Sequence, residues 1–313
     1  MRRFLVAVVA CFVVCSPPLF AWHAKGHMAV AFVACQLLTP PIRARVDSLL
    51  TRNPSIDDWR NRVASAPAGD RKQLIFMLAA VWPDDIRRDT AYTETGDTET
   101  GPRAGRNIGY RDKLRHKYWH FVDRPFSDDH TTLAQPAAVN AQERIDLFRQ
   151  ALGSSASDSV KSYDLVWLEH LVGDVHQPLH CTSRFSSALT HGDRGGNSVK
   201  LVSGCAECGG ANELHGFWDG VVGETNRATV AATFGATLTA ADATPAADAD
   251  IDHWITESFD LARSKVYMNP PIGVTVGPFS ILSGYRSDAL NLSKKQIALA
   301  GARLANLINT SLR

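Results

Sequence analysis

Leu168-Glu169-His170-Leu171-Val172-Gly173-Asp174-Val175-His176-Gln177-Pro178-Leu179-His180 reads as the end of a buried helix that carries metal-binding side chains. His170 and Asp174 are four residues apart, so on a helix they lie about 40° apart on one face and reach into the same cavity. Pro178 ends or kinks the helix near Gln177, which lets His180 turn back toward that cavity. Any one of these histidines, taken alone, reads equally well as a core residue satisfied by ordinary hydrogen bonds. Three imidazoles and a carboxylate within eleven otherwise apolar residues need partners in common, and a metal ion is such a partner. His176 lies two residues past Asp174 and faces away from the ligand side, so it is assigned a supporting role.

Outward from this stretch the chain reads as helices. Toward the N-terminus, helices are expected over about Met28 to Leu38, Arg43 to Thr51 and Lys72 to Trp82, with Pro40-Pro41 breaking the first. Residues 88 to 108 lack apolar periodicity and read as a surface loop. A helix follows from about Ala137 to Leu152, then the central one from about Ser157. From Cys181 to Gly210 the composition turns to Gly, Ser and Cys, with Asn197 to Val202 as the one expected strand of a small hairpin. Asn212 to Gly220 returns to helix and carries a second pair with the same spacing, His215 and Asp219. Helices over about Asp248 to Tyr267 and Ser287 to Leu312 close the chain. The fold class is therefore all-α, mostly helical, with a small β-hairpin in an irregular insert. No composition break divides residues 22–313, which read as a single domain.

Residues 1–21 read as a secretory signal: Arg2 and Arg3, an apolar run from Phe4 to Cys15, and a cleavage site after Leu19-Phe20-Ala21. Neither this run nor any later one is long enough to span a bilayer, so a secreted or periplasmic protein without a membrane anchor is expected, with cleavage between Ala21 and Trp22. Without Arg2 and Arg3, 31 of the 33 basic side chains remain, and they nearly balance the 32 acidic ones. That balance argues against a protein that grips duplex DNA through a broad basic face. Of the four cysteines past the signal, Cys35, Cys181, Cys205 and Cys208, an oxidising compartment favours disulfides, and the sequence leaves three pairings open. Cys205-Ala-Glu-Cys208 lacks the second Cys-x2-Cys that a zinc ribbon needs.

Histidines and acids recur in small sets beside apolar residues: His27, Asp84, His120, His170 with Asp174, His180, and His215 with Asp219. Nitrogen and carboxylate ligands without thiolates suit catalytic zinc, with manganese or iron as alternatives. His23, His116, His130, His191 and His253 stand outside any such set and are assigned to the surface.

These residues stand in motifs that resemble the S1/P1 family of secreted zinc-dependent nucleases. The resemblance rests on Trp22 with His27, Trp82-Pro83-Asp84-Asp85-Ile86-Arg87, His120-Phe121-Val122-Asp123, Gly173-Asp174 through His180, Asp193-Arg194-Gly195-Gly196-Asn197, and His215-Gly216-Phe217-Trp218-Asp219. All six occur in the family's order. The resemblance implies the helical fold that the family shares with zinc-dependent phospholipases C, and three zinc ions. Asp84, His120, His170 and Asp174 would hold one. The amino and carbonyl groups of Trp22, with His27 and a bridging Asp174, would hold the second. His180, His215 and Asp219 would hold the third.

It further implies hydrolysis of single-stranded RNA and DNA to 5′-nucleotides, with 3′-nucleotidase activity. Arg87 and Asp84 would be catalytic, while Phe121, Asp123 and Asn197 would bind the base. Single-stranded nucleic acid and 3′-nucleotides are the expected partners, and no obligate protein partner is evident. Glu213, where an asparagine is common, and Pro83, where alanine is, depart from the pattern without touching a ligand. The nearest rival is a zinc-dependent phospholipase C acting on lipid headgroups. Those enzymes usually end the last pair in Glu and place the second metal's histidine further from the N-terminus, whereas here the pair ends in Asp219 and His27 follows Trp22 by five. A secreted zinc-binding protein without catalysis is a rival of another class.

Overall fold

A computed structural model describes residues 22–312, so the expected signal and its cleavage site lie outside the described residues. In chain order the helices are α1 (Ala24–Leu37), α2 (Pro40–Leu50), α3 (Ile56–Arg62), α4 (Arg71–Ala79) and α5 (Trp82–Asp85), then α6 (Ala141–Leu152), α7 (Asp158–Asp174) and α8 (Leu214–Gly220), and finally α9 (Ala228–Gly235), α10 (Ala243–Ala247), α11 (Ile251–Leu261) and α12 (Ser283–Ser311). Pro40 and Pro41 both end the first helix and start the second, since a proline in the first turn gives up only an amide that has no helical partner. Asn140 caps α6 by accepting from the Gln142 and Glu143 amides, and Ser157 caps α7 through the Val160 amide.

α7 is the axis of the molecule. Every residue from Ser162 to Asp174 is buried, because α1, α2, α5, α6 and α12 pack around it. α12 lies along α1, α10 and α7 and closes the back of the core. No helix among the described residues is long and apolar enough to cross a membrane.

The strands are elsewhere than expected. β1 (Pro125–Ser127) pairs in parallel with β2 (Ser183–Phe185), whereas the 197–202 segment makes only isolated bridges, Lys200 to Glu213 and Leu201 to Phe279. That pairing is long-range, which local alternation could not reveal. It continues into the site: the Val122 amide donates to the His180 carbonyl at 2.7 Å and the Ser183 amide to the Arg124 carbonyl at 2.9 Å. The His120 and His180 segments are therefore held side by side.

Candidate metal centre

Four segments converge at the C-terminal end of α7. The single turn of α5 delivers Asp84, because Trp82 beside it is wedged edge-on among Tyr92, Tyr110, Tyr163 and Trp167; aromatic contacts of this kind contribute about 0.5–1.5 kcal/mol each beyond burial. α1 delivers His27, whose ring stacks on His170 at 3.8 Å. A Cβ at position 173 would come within 2.9 Å of His27 Nδ1, so Gly173 makes the room this imidazole occupies. Trp22 is fully buried at the start of α1, its side chain lying over Gly26.

The donor atoms form one continuous cluster. His170 Nε2 lies 2.9 Å from His120 Nδ1, 3.4 Å from Asp174 Oδ2 and 3.8 Å from Asp84 Oδ1. His120 Nδ1 is 3.1 Å from Asp174 Oδ2, and His27 Nε2 is 3.4 Å from Asp174 Oδ1. A second group brings together His180, His215 and Asp219, with His215 Nε2 at 3.3 Å from Asp219 Oδ2. Arg87 reaches Asp84 Oδ1 at 3.1 Å and is itself buried.

The histidines are oriented from behind. His170 Nδ1 donates to the Ala80 carbonyl at 2.8 Å, His180 Nδ1 to the His120 carbonyl at 2.7 Å and His215 Nδ1 to the Gly195 carbonyl at 2.7 Å. A neutral imidazole that donates from Nδ1 carries its lone pair on Nε2, and this back-bonding is what positions metal-binding histidines. His27 Nδ1 and Nε2, His120 Nε2 and Asp174 Oδ1 are buried without a hydrogen bond. Burial raises the carboxyl of Asp84 to about 7 and lifts those of Asp174 and Asp219 well above the usual range, while it lowers His170 to about 3 and depresses His27 and His120. Neutral imidazoles among carboxyls that need a counter-charge, with no thiolate, are a donor set that fits divalent cations such as zinc.

Beside this cluster Phe121, Asp123, Arg194 and Asn197 line a small cavity that reaches His120, His180 and His215. Asn197 Nδ2 donates to the Arg194 carbonyl at 2.6 Å. Burial and the neighbouring Asp193 push Asp123 up to about 7, against the pull of Arg194. The expected His and Asp residues and Arg87 thus gather around the end of α7, with Phe121, Asp123 and Asn197 on the cavity side and Trp22 buried at the start of α1.

Three supporting side chains, Gln177, Arg303 and Glu257, were not read from the sequence. Gln177 Nε2 donates to Asp219 Oδ1 at 2.7 Å while its Oε1 accepts the Leu179 amide at 2.7 Å. His176 has the supporting role assigned to it: Nδ1 donates to the Val172 carbonyl at 2.7 Å, and Nε2 accepts from Arg303 Nη1 at 3.0 Å. Arg303 is in turn gripped by both carboxylate oxygens of Glu257, at 2.6 and 3.0 Å. His116 corrects its surface assignment. It is fully buried, stacked flat on Trp119 at 3.5 Å, with Asp97 at 3.4 Å from Nδ1 and Asp112 at 3.1 Å from Nε2. The signal for it was present in Asp112, four residues before. Cys205 and Cys208 form a disulfide, and Cys35 and Cys181 are buried thiols.

Comparison with known proteins matches residues 22–313 to the family model described as S1/P1 Nuclease. Endonuclease 4 of Arabidopsis thaliana is 27% identical over 311 residues, covering 92% of this chain and 88% of that protein. Endonuclease 3 of the same plant is 28% identical over 180 residues, which is 50% of this chain and 55% of that protein.

Proposed function

This chain belongs to the S1/P1 nuclease family, and on that premise we propose a secreted, zinc-dependent phosphodiesterase that hydrolyses single-stranded RNA and DNA to 5′-nucleotides and removes phosphate from 3′-nucleotides. The observation that carries the zinc assignment is the common orientation of His170, His180 and His215, each donating from Nδ1 to a carbonyl and offering Nε2 toward a buried carboxylate. Asp84, His120, His170 and Asp174 would hold one ion. Asp174 with His27 and the terminal amino and carbonyl groups of Trp22 would hold a second, and His180, His215 and Asp219 a third.

When bound, zinc supplies a Lewis acid for the phosphoryl oxygens and an ionised water at neutral pH. The chain's own residues do the rest. Arg87, fixed 3.1 Å from Asp84, places a guanidinium where charge builds on the phosphoryl group. Phe121 offers a face on which an unpaired base stacks, and Asp123 and Asn197 meet the base edge. A base held in a duplex cannot reach such a pocket without leaving its stack, which accounts for a preference for single strands.

The test measures hydrolysis of single-stranded DNA, single-stranded RNA, a 3′-nucleotide and phosphatidylcholine by the processed protein. Zinc-restorable activity on the first three and none on the lipid is expected. Lipid hydrolysis without nuclease activity would reverse the assignment.

A further inference from the structure

Three cavities border the cluster, and their walls overlap. The base cavity shares Asn197 and His215 with one of about 660 Å³, which shares His23 and Glu224 with a third of about 500 Å³. The third has no wall residue in common with the base cavity, yet it touches Asp84. The cluster therefore lies along a groove with space on both sides. The base cavity itself is only about 50 Å³, so a 3′-mononucleotide would engage it and the centre alone, whereas each of the larger cavities has room for a further nucleotide.

The chemistry of the third cavity differs from that of the base cavity. Its wall has no Phe, Tyr or Trp, and His23 is its one ring; its cations are Arg62, at the end of α3, and Arg88, one residue past Arg87. Arg62 is set at the wall by its Nη2 bond to the Asn226 carbonyl at 2.9 Å, with Asp58 3.7 Å from Nη1. Three acids share this wall: Asp84 is paired with Arg87, Glu224 lies 2.6 Å from His23 Nδ1, an imidazole whose pKa burial lowers, and Asp85 is within electrostatic reach of both arginines. In a protein of net charge +1, two guanidinium groups beside the reaction centre are a local device, suited to phosphate and indifferent to base.

We propose that this cavity binds the strand on the 5′-phosphate side of the scissile bond, with Arg62 and Arg88 holding the next phosphate. The inference rests on the nuclease reading above and extends it to polarity. A 3′-nucleotide carries its base on the side of the 3′ oxygen that leaves, and the proposed base site is the cavity bordered by His180 and His215, so the nucleotide that leaves by its 3′ oxygen occupies that end. The strand then runs 5′ to 3′ from Phe121, past Arg87, to Arg62 and Arg88.

The experiment compares kcat/KM on a ten-nucleotide single-stranded oligo(dA) with that on 3′-dAMP, for zinc-loaded parent protein, Arg62→Ala, Arg88→Ala and the double variant. The 3′-nucleotide has no phosphate beyond the scissile one. The ratio of oligonucleotide to mononucleotide kcat/KM is expected to fall roughly tenfold in the double variant, mainly through KM, and the salt dependence on the oligonucleotide to become shallower by about 0.7 per lost phosphate contact. Arg62→Lys should recover part of the ratio. An unchanged ratio and salt slope would overturn the proposal, as would parallel loss on both substrates, which would place the arginines in support of the centre. Arg62→Ala guards against disturbance of Arg87, since Arg62 is remote in sequence from every proposed ligand. A parent protein inactive on both substrates would instead overturn the nuclease reading on which the inference rests.

Discussion

His170–Asp174 and His215–Asp219 are two copies of one device in different settings. Both span one helical turn, with Nε2 to carboxylate distances of 3.4 and 3.3 Å, and both imidazoles donate from Nδ1 to a carbonyl. The first pair stands on the 17-residue α7, which is buried on all sides from Ser162 onward. The second stands on the seven-residue α8, whose N-terminus has no side-chain cap and whose His215 borders two cavities. Spacing alone therefore sets the pair geometry, while the surroundings decide how each pair is held. α7 holds its pair by packing on all sides, with one outside bond from His170 to the Ala80 carbonyl. α8 depends on bonds from outside the helix, namely Gln177 to Asp219, the Gly195 carbonyl to His215, and the His23 amide to the Asp219 carbonyl.

The largest effect treats the two pairs alike. Chelation of the processed protein is expected to remove hydrolysis by at least ~10³-fold and added zinc to restore it, because both pairs act only through the ion they hold. Full activity in excess chelator, with zinc absent by elemental analysis, would break the comparison at its root. The next test separates the pairs. Asp174 lies within 3.4 Å of donor nitrogens on His27, His120 and His170, whereas Asp219 faces His180 and His215. Asp174→Asn should therefore cost about tenfold more kcat than Asp219→Asn and release more zinc. Equal residual rates and equal zinc loss would show that the two settings are equivalent.

A third test acts on the α7 side alone. Trp22 is buried at the entrance to α1, five residues before His27. An amino nitrogen can chelate with its own carbonyl only at a free terminus, since a peptide nitrogen has no available lone pair. A protein beginning at Trp22 is expected to hold three zinc ions, and one carrying an extra residue before Trp22 two, with most activity lost and the His215–Asp219 set still loaded. Mass spectrometry of the intact protein gives the stoichiometry, and three ions in the extended form would refute the terminal chelate. A smaller effect is confined to the other side. Gln177→Leu removes the bond to Asp219 and should weaken one zinc about 10- to 100-fold in chelator competition, the range for groups that orient a ligand from behind. Uniform weakening of all sites would mean that Gln177 supports the fold and not α8.

What could be read from the sequence follows the same division. Local spacing reported His170 with Asp174, His215 with Asp219, and the turn at Pro178 that brings His180 back, because these relations are fixed within one or two helical turns. The base-side residues Phe121, Asp123 and Asn197 stand in motifs, and Phe121 and Asp123 are brought beside His180 by the pairing of β1 and β2 across more than fifty residues, while Asn197 is held by the Arg194 carbonyl. Such long-range pairing leaves little local trace, whereas the local pattern at 197–202 suggests a strand where only isolated bridges form. The same holds for Arg303 behind His176 and for the burial of His116, each decided by partners far along the chain or in the loop before it. Pro40-Pro41 illustrates a local ambiguity instead, since a proline pair ends one helix and opens the next with equal ease.

The smallest expected effect concerns α7 itself and tests whether its burial is as deep as the comparison requires. Asp164 lies nearly three turns before Asp174, fully buried, and one of its oxygens accepts from Asn107 Nδ2 at 3.0 Å while the other has no hydrogen bond. Burial raises its carboxyl to about 8, against the opposing influence of Asn107 and Arg144. An acid whose value in the folded state exceeds that of the unfolded chain contributes stability in full below about 4, the unfolded value. That contribution is lost as the pH rises, and the loss levels off above about 8. Between these limits the unfolded chain has released a proton that the folded one keeps, so stability falls by up to about 1.4 kcal/mol per pH unit from this group. Asp164→Asn retains an oxygen for Asn107 and removes the titration. The difference in Tm between variant and parent should therefore shift in the variant's favour from pH 5 to pH 8 and flatten beyond. A difference that stays constant across that range would mean that water reaches this part of α7, and the contrast between a helix held by packing and one held by outside bonds would weaken accordingly.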